Sequence, residues 1–376
     1  MGTNNKTAIV VGAGIAGLAM SRALALQGYQ VKVIERNHTA VGASVRNFGM
    51  VWPVGQPSGE LYDAALRSAE IWKEECGKAG IFFDPVGSLH VAYQNDEAQV
   101  LEELYEVYKS ERPVKLLKSG EVAMVSDAVV EKGLISGLYS SDEVIVDPRE
   151  AIGRLPMHFQ DRFDIEFVWN EAVIRVETGA VYTFEKKYQA DLVIVCSGVE
   201  FETLFPDIFR ENAAVKCKLQ MLRFCTQPEG WRIGPALCGG LSLIHYHSFK
   251  VADSLEKLKN RFQLEFPEHI KWGIHVMVSQ NGKGELTVGD SHEYGGTHDP
   301  FDRSFINELI LQYLSRFAQF RKNEVAETWN GVYTKLTNGE HYFFNSPYNG
   351  VYVFNGLGGA GMTLSFGLAE KLSRSI

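Results

Sequence analysis

Three glycines near the start of the chain have the spacing of a phosphate-binding turn. Gly12, Gly14 and Gly17 follow an apolar run at residues 8–11 and precede a stretch rich in Ala and Leu. In such a strand, turn and helix, the first glycine permits the tight turn, the second lets the backbone approach a pyrophosphate, and the third lets the helix pack on the strand. The helix N-terminus adds free N–H groups that bind phosphate oxygens.

A carboxylate extends this pattern. Glu35 ends the second apolar run, at residues 29–34, where it can accept hydrogen bonds from both hydroxyl groups of an adenosine ribose. The strand, the helix and the acid together predict a bound dinucleotide. The alternative is a doubly wound sheet whose binding site is vestigial.

Two later segments are predicted to complete the same unit. Residues 191–198 form a nearly continuous apolar run, which is typical of a parallel strand that is buried on both faces and ends at a ligand crevice. Residues 350–355 form another apolar run, and a glycine-rich segment at residues 356–361 precedes a final helix. This order predicts a second helix N-terminus that faces the ligand, with a glycine-rich hairpin turn as the alternative.

Periodicity and capping signals predict the other N-terminal elements. Asp147 followed by Pro148 is typical of the start of a helix. Residues 87–93 alternate like a half-buried strand, so we expect His90 on the solvated or hydrogen-bonded side, with a catalytic base as the alternative. Predicted helices cover residues 61–80 and 96–110, and a predicted hairpin covers residues 173–185.

From residue 216 the pattern changes to short strands with helices among them. This pattern predicts an antiparallel sheet that carries helices and forms a second domain. The predicted fold class is therefore α/β, with a Rossmann-like dinucleotide-binding domain interleaved with an α+β domain built on an antiparallel sheet. The predicted strands are 217–225, 241–249, 274–279 and 285–289, and the predicted helices are 254–266 and 301–317.

The composition limits the partners and the compartment. A net charge of −9 leaves no basic excess to bind nucleic acid. No run of about 18 apolar residues predicts a membrane span, and the early apolar stretch lacks the features of a signal peptide. The five cysteines form no C-x-x-C pair and have no metal-ligand spacing. We therefore expect mostly buried free thiols, a reducing cytoplasmic compartment and no metal site.

Several motifs occur in the order and spacing of one enzyme family. They are the turn at residues 12–17 with Glu35, and segments 42–49, 146–148, 191–198, 218–221, 289–294, 329–331 and 356–363. With these motifs, nearly the whole chain resembles the FAD-dependent oxidoreductase family that contains D-amino-acid dehydrogenases, glycine oxidase and sarcosine oxidase. The implied FAD-binding domain is residues 1–85, 143–215 and 328–376, and the implied substrate-binding domain is residues 86–142 and 216–327.

The resemblance also implies where FAD makes its contacts. The loop at residues 44–50 would pass the diphosphate and the isoalloxazine, although by its composition alone it is equally typical of a surface loop. Val173 would give a backbone contact to adenine, and residues 356–363 would close on the flavin pyrimidine and ribityl. The implied cofactor-binding residues are Gly12, Gly14, Gly17, Glu35, Arg36, Ser44, Arg46, Asn47, Gly49, Met50, Val173, Ser197, Gly198, Gly356, Gly358, Gly359, Gly361, Met362 and Thr363.

Two departures from the family pattern matter. Members that bind flavin covalently have a His in the early loop or a Cys near the C-terminal glycines, whereas this chain has Arg46 and Gly359 in those regions, so we expect non-covalent FAD. Amino-acid-oxidising members place an Arg two residues after the Gly of their Trp-x-Gly segment, where its planar fork binds the substrate carboxylate. This chain has Tyr333 there, so an ordinary α-amino acid loses its usual anchor.

The substrate and the reaction are expectations of the same resemblance. Residues 44–57 match a subgroup associated with aminophosphonate breakdown, and a tetrahedral dianion suits several single donors. We expect oxidation of a C–N bond in a small anionic primary or secondary amine, with hydride transfer to flavin N5 and hydrolysis of the imine. His245 or His292 is a candidate acceptor for the ammonium proton, with a hydrogen-bonded structural histidine as the alternative for each. The candidate catalytic and anion-binding residues are Tyr333, Lys335, His245, His247 and Arg46.

Two rival functions stay open from the sequence. Gly289 and Asp290 resemble the Gly-Asp motif of flavin hydroxylases, but they precede a predicted helix of the substrate domain rather than the helix that covers the cofactor. The second rival is a non-catalytic flavoprotein in which FAD is a structural or partner-binding element. The electron acceptor, O₂ or another molecule, is open as well.

Overall fold

The computed structural model describes residues 6–376. Its helices are α1 (Ile15–Leu26), α2 (Glu60–Ala79), α3 (Asn95–Tyr108), α4 (Ser119–Val125), α5 (Pro148–Phe163), α6 (Pro206–Glu211), α7 (Leu255–Glu265), α8 (Pro267–Lys271), α9 (Ser304–Leu314) and α10 (Gly361–Leu372). The first strands are β1 (Thr7–Val11), β2 (Gln30–Ile34), β3 (Met50–Val51), β4 (Phe83–Asp84), β5 (Ser88–Ala92), β6 (Val114–Lys118), β7 (Ser136–Ser140), β8 (Val144–Val146), β9 (Glu166–Val168), β10 (Val173–Glu177) and β11 (Ala180–Thr183). The later strands are β12 (Lys187–Gln189), β13 (Leu192–Val195), β14 (Ala214–Phe224), β15 (Ala236–Cys238), β16 (Met277–Gln280), β17 (Leu286–Gly289), β18 (Glu293–Gly295), β19 (Val325–Leu336), β20 (Phe343–Tyr348) and β21 (Val351–Asn355).

The first sheet has the strand order β20-β21-β13-β1-β2-β9. Its strands are parallel except for β20, which is antiparallel to β21. Ala8 and Val10 of β1 pack against α1, α2 and α10, while Ile9 and Val11 pack on the opposite face towards β10 and β11. Both faces of β1 are therefore covered, as its continuous apolar run predicts. The predicted return of the chain at residues 191–198 and 350–355 is confirmed, because β13 and β21 lie in this sheet.

The second large sheet has the order β18-β14-β17-β16-β15-β5-β7-β6, and β19 pairs with β14 on its other side. Its pairs are antiparallel except for β15 with β5. Helices α3, α7 and α9 contribute side chains to the core on this sheet. The predicted α/β fold with an antiparallel second sheet is confirmed. The exact domain bounds stay a prediction.

Capping at the start of α5 is as predicted. The side chain of Asp147 accepts hydrogen bonds from the backbone N–H groups of Arg149 (3.0 Å) and Glu150 (3.3 Å), and Pro148 occupies the first turn. Cys225 is half-buried and the other cysteines are buried, and all of them are free thiols. No helix among residues 6–376 combines the length and the apolar character that a membrane crossing requires.

Residues 241–249 do not form the predicted strand. Leu241, Leu243 and Phe249 are buried, which accounts for the alternating pattern. However, the backbone bends into two short 3₁₀ turns, Gly240–Ile244 and His247–Val251. The alternation was misleading because it reflects one-sided burial of a turn. Likewise, the segment after Gly289-Asp290 continues into strand β18 and not into a helix.

The expectation for His90 is wrong. Strand β5 lies inside the second sheet and all its residues are buried, so His90 is 0% exposed. Its ring lies 5.9 Å from the ring of Trp52 and 5.2 Å from that of Phe249, between centroids. Neither ring nitrogen has a hydrogen-bond partner within residues 6–376. Burial lowers the pKa of His90 to about 3, so this residue is a neutral part of the core.

Candidate active site and cofactor cleft

An outer cleft opens where β1, β2 and β13 end, and the glycine turn forms its floor. Gly12 has a φ of +100°, and a β-carbon there would lie 2.5 Å from the carbonyl oxygen of Cys196. A β-carbon on Gly17 would lie 1.8 Å from the carbonyl oxygen of Gly12. Both positions therefore require glycine, as the sequence predicts. Gly17 supports the turn from behind and does not line the cleft.

The N-terminus of α1 faces this cleft. Its cap residue, Gly14, has no side chain, and the hydroxyl of Ser44 accepts a hydrogen bond from the N–H of Ile15 at 2.9 Å. The hydroxyl hydrogen of Ser44 can still be donated to an anion. The helix end and Ser44 thus form a donor group for phosphate oxygens.

Glu35 is fixed at the bottom of the outer cleft. Its Oε2 accepts from the N–H of Ala13 at 2.9 Å, and its Oε1 accepts from the backbone N–H (3.0 Å) and the side chain (3.1 Å) of Asn37. Each oxygen keeps further acceptor capacity for ribose hydroxyls. Across the cleft lie Val173 and the buried hydroxyl of Ser197, which has no hydrogen-bond partner in the described chain. The acid, the turn and this free hydroxyl suit an adenosine.

Other predicted cofactor-binding residues line the outer cleft or lie behind its lining. Arg36 lines the outer cleft and pairs with Glu200 at 2.9 Å. Gly198 also lines it. Asn47 shapes the early loop, because its side chain donates to the carbonyl oxygens of Ala43 and Ser44 and accepts from the N–H of Gly49. Gly49 lies behind the wall, where a β-carbon would meet a carbonyl oxygen at 1.9 Å.

An inner cavity continues from the outer cleft. The two share lining residues, including Ser44, Tyr333, Gly358 and Gly361, so they form one elongated channel. The N-terminus of α10 begins at Gly361 beside the inner cavity. Also in its lining are Arg46, Asn47, Met50, Gly356, Gly359, Met362 and Thr363. Each half of the channel borders the N-terminus of a helix, so the channel fits a long dinucleotide such as FAD.

Tyr333 and Lys335 reach the inner cavity from the same face of β19. Side chains two residues apart in a strand point to the same face, so both side chains reach this cavity. Burial raises the pKa of Tyr333 and lowers the pKa of Lys335. Arg46 donates a hydrogen bond to the carbonyl oxygen of Asn330 at 3.2 Å. All four predicted catalytic residues, including His245, line this one cavity.

Three histidines meet at the far side of the inner cavity. His245, His275 and His292 each have a ring nitrogen within 4.8 Å of the others, and we call them the histidine cluster. The ring of His245 is exposed only to the cavity, whose walls desolvate it and hold its pKa well below the usual value. Burial holds the pKa of His275 well below its usual value and lowers that of His292 to about 4. Buried Asp290 lies against the cluster, and burial raises its pKa well above its usual range.

A second basic group lies in the same cavity. Nδ1 of His247 is 3.2 Å from Nε2 of His341, and Lys335 and Lys250 are close enough to help lower the pKa of both rings. Burial is the main cause, and it lowers the pKa of His247 to about 4. Sequence reasoning missed His275 and His341. No local signal could have found them, since tertiary contacts bring them to the cavity.

Comparison with known proteins agrees with this architecture. Residues 7–375 match the family model described as FAD dependent oxidoreductase. The structure resembles that of glycine oxidase from Geobacillus kaustophilus, with a TM-score of 0.77 and 18% identity, over 98% of this chain and 93% of that chain. It also resembles L-α-glycerophosphate oxidase from Mycoplasma pneumoniae with FAD bound, with a TM-score of 0.73 and 15% identity, over 98% of this chain and 94% of that chain.

A curated relative matches part of the chain. The tRNA 5-methylaminomethyl-2-thiouridine biosynthesis bifunctional protein MnmC of Campylobacter concisus is 23% identical over 229 residues. The match covers 58% of this chain and 34% of that protein, so the chain spans about a third of its relative. The family match, in contrast, runs through nearly every element that borders the channel, and the channel suits both halves of the cofactor. By this evidence, the chain belongs to the FAD-dependent oxidoreductase family and is an FAD-dependent enzyme.

Proposed function

We propose that this enzyme oxidises the C–N bond of a small anionic amine, and that the amine is an aminophosphonate. The observation that carries the proposal is the set of hydrogen-bond donors in the inner cavity, one of which is the ammonium group of Lys335. Lys335, His247 and His341 face one cavity. By the family resemblance, Tyr333 stands where amino-acid-oxidising members have an Arg. Glu340 also lines this cavity, but no carboxylate of the described residues lies within ion-pair distance of Lys335, so its ammonium group can bind an anion.

The geometry of these donors favours a tetrahedral anion. A planar carboxylate is bound best by the parallel N–H groups of one guanidinium. Here the donors are separate point groups on different elements: a phenol and an ammonium on β19, and imidazoles on two loops. Three phosphonate oxygens can take one donor each, which a carboxylate cannot. Among the structurally similar proteins, one is named for glycine and another for L-α-glycerophosphate, so this fold serves both kinds of anion.

Bound FAD supplies a two-electron acceptor for the hydride of the carbon that carries the amine. The residues of the chain have the task of holding that carbon in place and excluding water. Phe48, Met50 and Trp52 provide an apolar wall on one side of the inner cavity, and Tyr333 lies on another. In this arrangement Tyr333 and Lys335 bind the anion beside the glycine-rich segment at residues 356–361. The oxidised product, an imine, then hydrolyses in water.

Anaerobic reduction of the enzyme tests this proposal. The purified flavoprotein is mixed with α-amino acids, N-methyl amines, aminoalkylphosphonates or NADPH, and loss of the yellow flavin absorbance is followed. We expect an aminophosphonate to bleach the flavin fastest. Fastest bleaching by glycine or D-alanine would overturn the aminophosphonate assignment. Reduction by NADPH alone would identify a hydroxylase type, and a flavin that none of them reduces would identify a non-catalytic flavoprotein.

A further inference from the structure

We propose that the histidine cluster, together with Asp290, is a binding site for a divalent transition-metal ion of the Zn²⁺ type. The site does not depend on the proposed amine oxidation. It rests on four side chains that meet at one wall of the inner cavity from separate parts of the chain. His245 lies between two 3₁₀ turns, His275 precedes β16, and His292 precedes β18.

Asp290 is a buried carboxyl group that takes up a proton and becomes neutral unless a cation lies beside it. This carboxylate is 5% exposed, and among residues 6–376 no Arg or Lys forms an ion pair with it. Its Oδ1 lies 3.1 Å from Nε2 of His275 but has no hydrogen-bond donor in the described chain. Buried carboxylates in proteins are paired with cations or bind metal ions. A carboxylate oxygen and an imidazole nitrogen at this separation also have the spacing of two ligands on one metal.

The hydrogen bond of His292 orients its free nitrogen for this role. Nδ1 lies 2.8 Å from the carbonyl oxygen of Gly273. Because a carbonyl oxygen accepts hydrogen bonds and cannot donate them, Nδ1 carries the hydrogen and Nε2 keeps a lone pair. That Nε2 lies 4.0 Å from Oδ2 of Asp290, on the side of the cluster. Metal-ligating histidines are held in this way by a backbone carbonyl or a carboxylate on the second nitrogen.

The donor set is one that binds Zn²⁺ and similar ions. Imidazole nitrogens bind Zn²⁺ at about 2.0–2.1 Å, so ligands in a tetrahedral site are about 3.3 Å apart. The nitrogens of the cluster lie within 4.8 Å, but the rings of His245 and His275 lie 3.8 Å apart between centroids, so His245 has to rotate away from His275 before both can bind one metal. His245 can supply this movement, since its ring is exposed to the cavity and makes no side-chain hydrogen bond with residues 6–376.

The site departs from the sequence prediction of no metal. That prediction came from the cysteine pattern, and the three histidines have no ligand spacing along the chain. Since His245 borders the inner cavity, a metal held here would lie at the wall of that cavity. Three imidazoles and one carboxylate complete the four ligands of a tetrahedral Zn²⁺ site.

Equilibrium dialysis tests the site. The purified flavoprotein is treated with a chelator, dialysed against Zn²⁺, and assayed for metal per bound flavin. We expect one Zn²⁺ per chain in the wild type, and affinity lower by about 10–100-fold or more in His245→Asn, His275→Asn and Asp290→Asn. His341→Asn is the matched control, because it removes an imidazole of the same cavity outside the cluster, and it should bind Zn²⁺ like the wild type.

Spectra identify the ligands and check the fold. Co²⁺ at the site should give the visible absorption bands of a metal with imidazole ligands, and these bands should be lost in His245→Asn. Because the ring of His245 is exposed to the cavity, this variant disrupts folding least. Flavin content and thermal unfolding show whether each variant is folded. Absence of Zn²⁺ from the wild type would overturn the proposal, as would equal binding by the wild type and His245→Asn. Zn²⁺ binding by an enzyme that no amine reduces would uphold this site and overturn the proposed function.

Discussion

The phenol oxygen of Tyr333 lies against the backbone of Gly359, where a β-carbon would be 3.8 Å from it. Tyr333 is on β19 of the antiparallel sheet, and Gly359 is in the segment between β21 and α10 of the parallel sheet. The side chain at position 333 therefore reaches from the sheet that forms the substrate wall to the segment that borders the cofactor channel. A substitution here should change which substrate is oxidised more than whether FAD binds.

Replacing Tyr333 by Arg should restore the carboxylate anchor of amino-acid-oxidising relatives. In Tyr333→Arg we expect kcat/KM for glycine or D-alanine to rise about tenfold or more, since a charged hydrogen-bonded pair contributes about 1.5–3 kcal/mol. Activity on aminophosphonates should fall. Steady-state kinetics on both substrate classes measure the change, and Tyr333→Phe serves as the control that removes the hydroxyl without adding charge. Unaltered preference in Tyr333→Arg would contradict the role of this position.

The glycine turn should not tolerate a methyl group. In Gly17→Ala the added carbon would lie 1.8 Å from the carbonyl oxygen of Gly12, so the helix must move away from the strand. We expect a loss of at least about 1–3 kcal/mol of stability, together with lower FAD content. Gly153→Ala in α5 is the control, because a β-carbon there meets no atom within 4 Å. It should stabilise the protein by about 0.5–1 kcal/mol. Flavin absorbance per chain and thermal unfolding measure both variants.

FAD should be released when the protein is denatured. The early loop has Arg46 and the C-terminal segment has Gly359 in the regions where covalent relatives carry a His or a Cys. Buried Cys196 lines the outer cleft, and buried Cys217 lies opposite Tyr333 in the β14–β19 pair. Burial raises the pKa of both thiols, which makes them poor nucleophiles. Acid precipitation should therefore leave the yellow colour in the supernatant. Colour that stays in the pellet would show a covalent flavin.

The sequence predicted the cofactor half better than the substrate half. The turn at Gly12 and the cap at Asp147 are local devices, so neighbouring residues reveal them. The histidine cluster is different. Pairing of the consecutive strands β16 and β17 brings His275 beside Asp290, but only tertiary contacts bring His245 to them. Residues 241–249 show a further limit: a turn that is buried on one side can imitate the alternation of a strand.

Glu143 should make stability depend on pH. Its carboxylate is fully buried and accepts hydrogen bonds from the N–H of Val54 and the hydroxyl of Ser88, both at 2.9 Å. Burial raises its pKa from 4.5 to about 7 in the folded state. Between pH 4.5 and about 7 the folded protein binds a proton on Glu143 more tightly than the unfolded chain does. Glu143 therefore lowers the free energy of unfolding as the pH rises through this range. The penalty should reach about 3 kcal/mol above pH 7 and vanish below pH 4.5.

Replacing Glu143 by Gln removes this dependence. The amide keeps an oxygen that accepts from Val54, and the hydroxyl of Ser88 can turn to accept from the amide. Relative to the wild type, Glu143→Gln should gain stability as the pH rises from about 4.5 to about 7, with the difference largest above that range. Thermal unfolding of both proteins across this range measures the difference, and Glu102→Gln on the exposed face of α3 is the control. Parallel stability curves for the wild type and Glu143→Gln would contradict this prediction. They would show that the hydrogen bonds from Val54 and Ser88 stabilise a charged Glu143 in the folded protein.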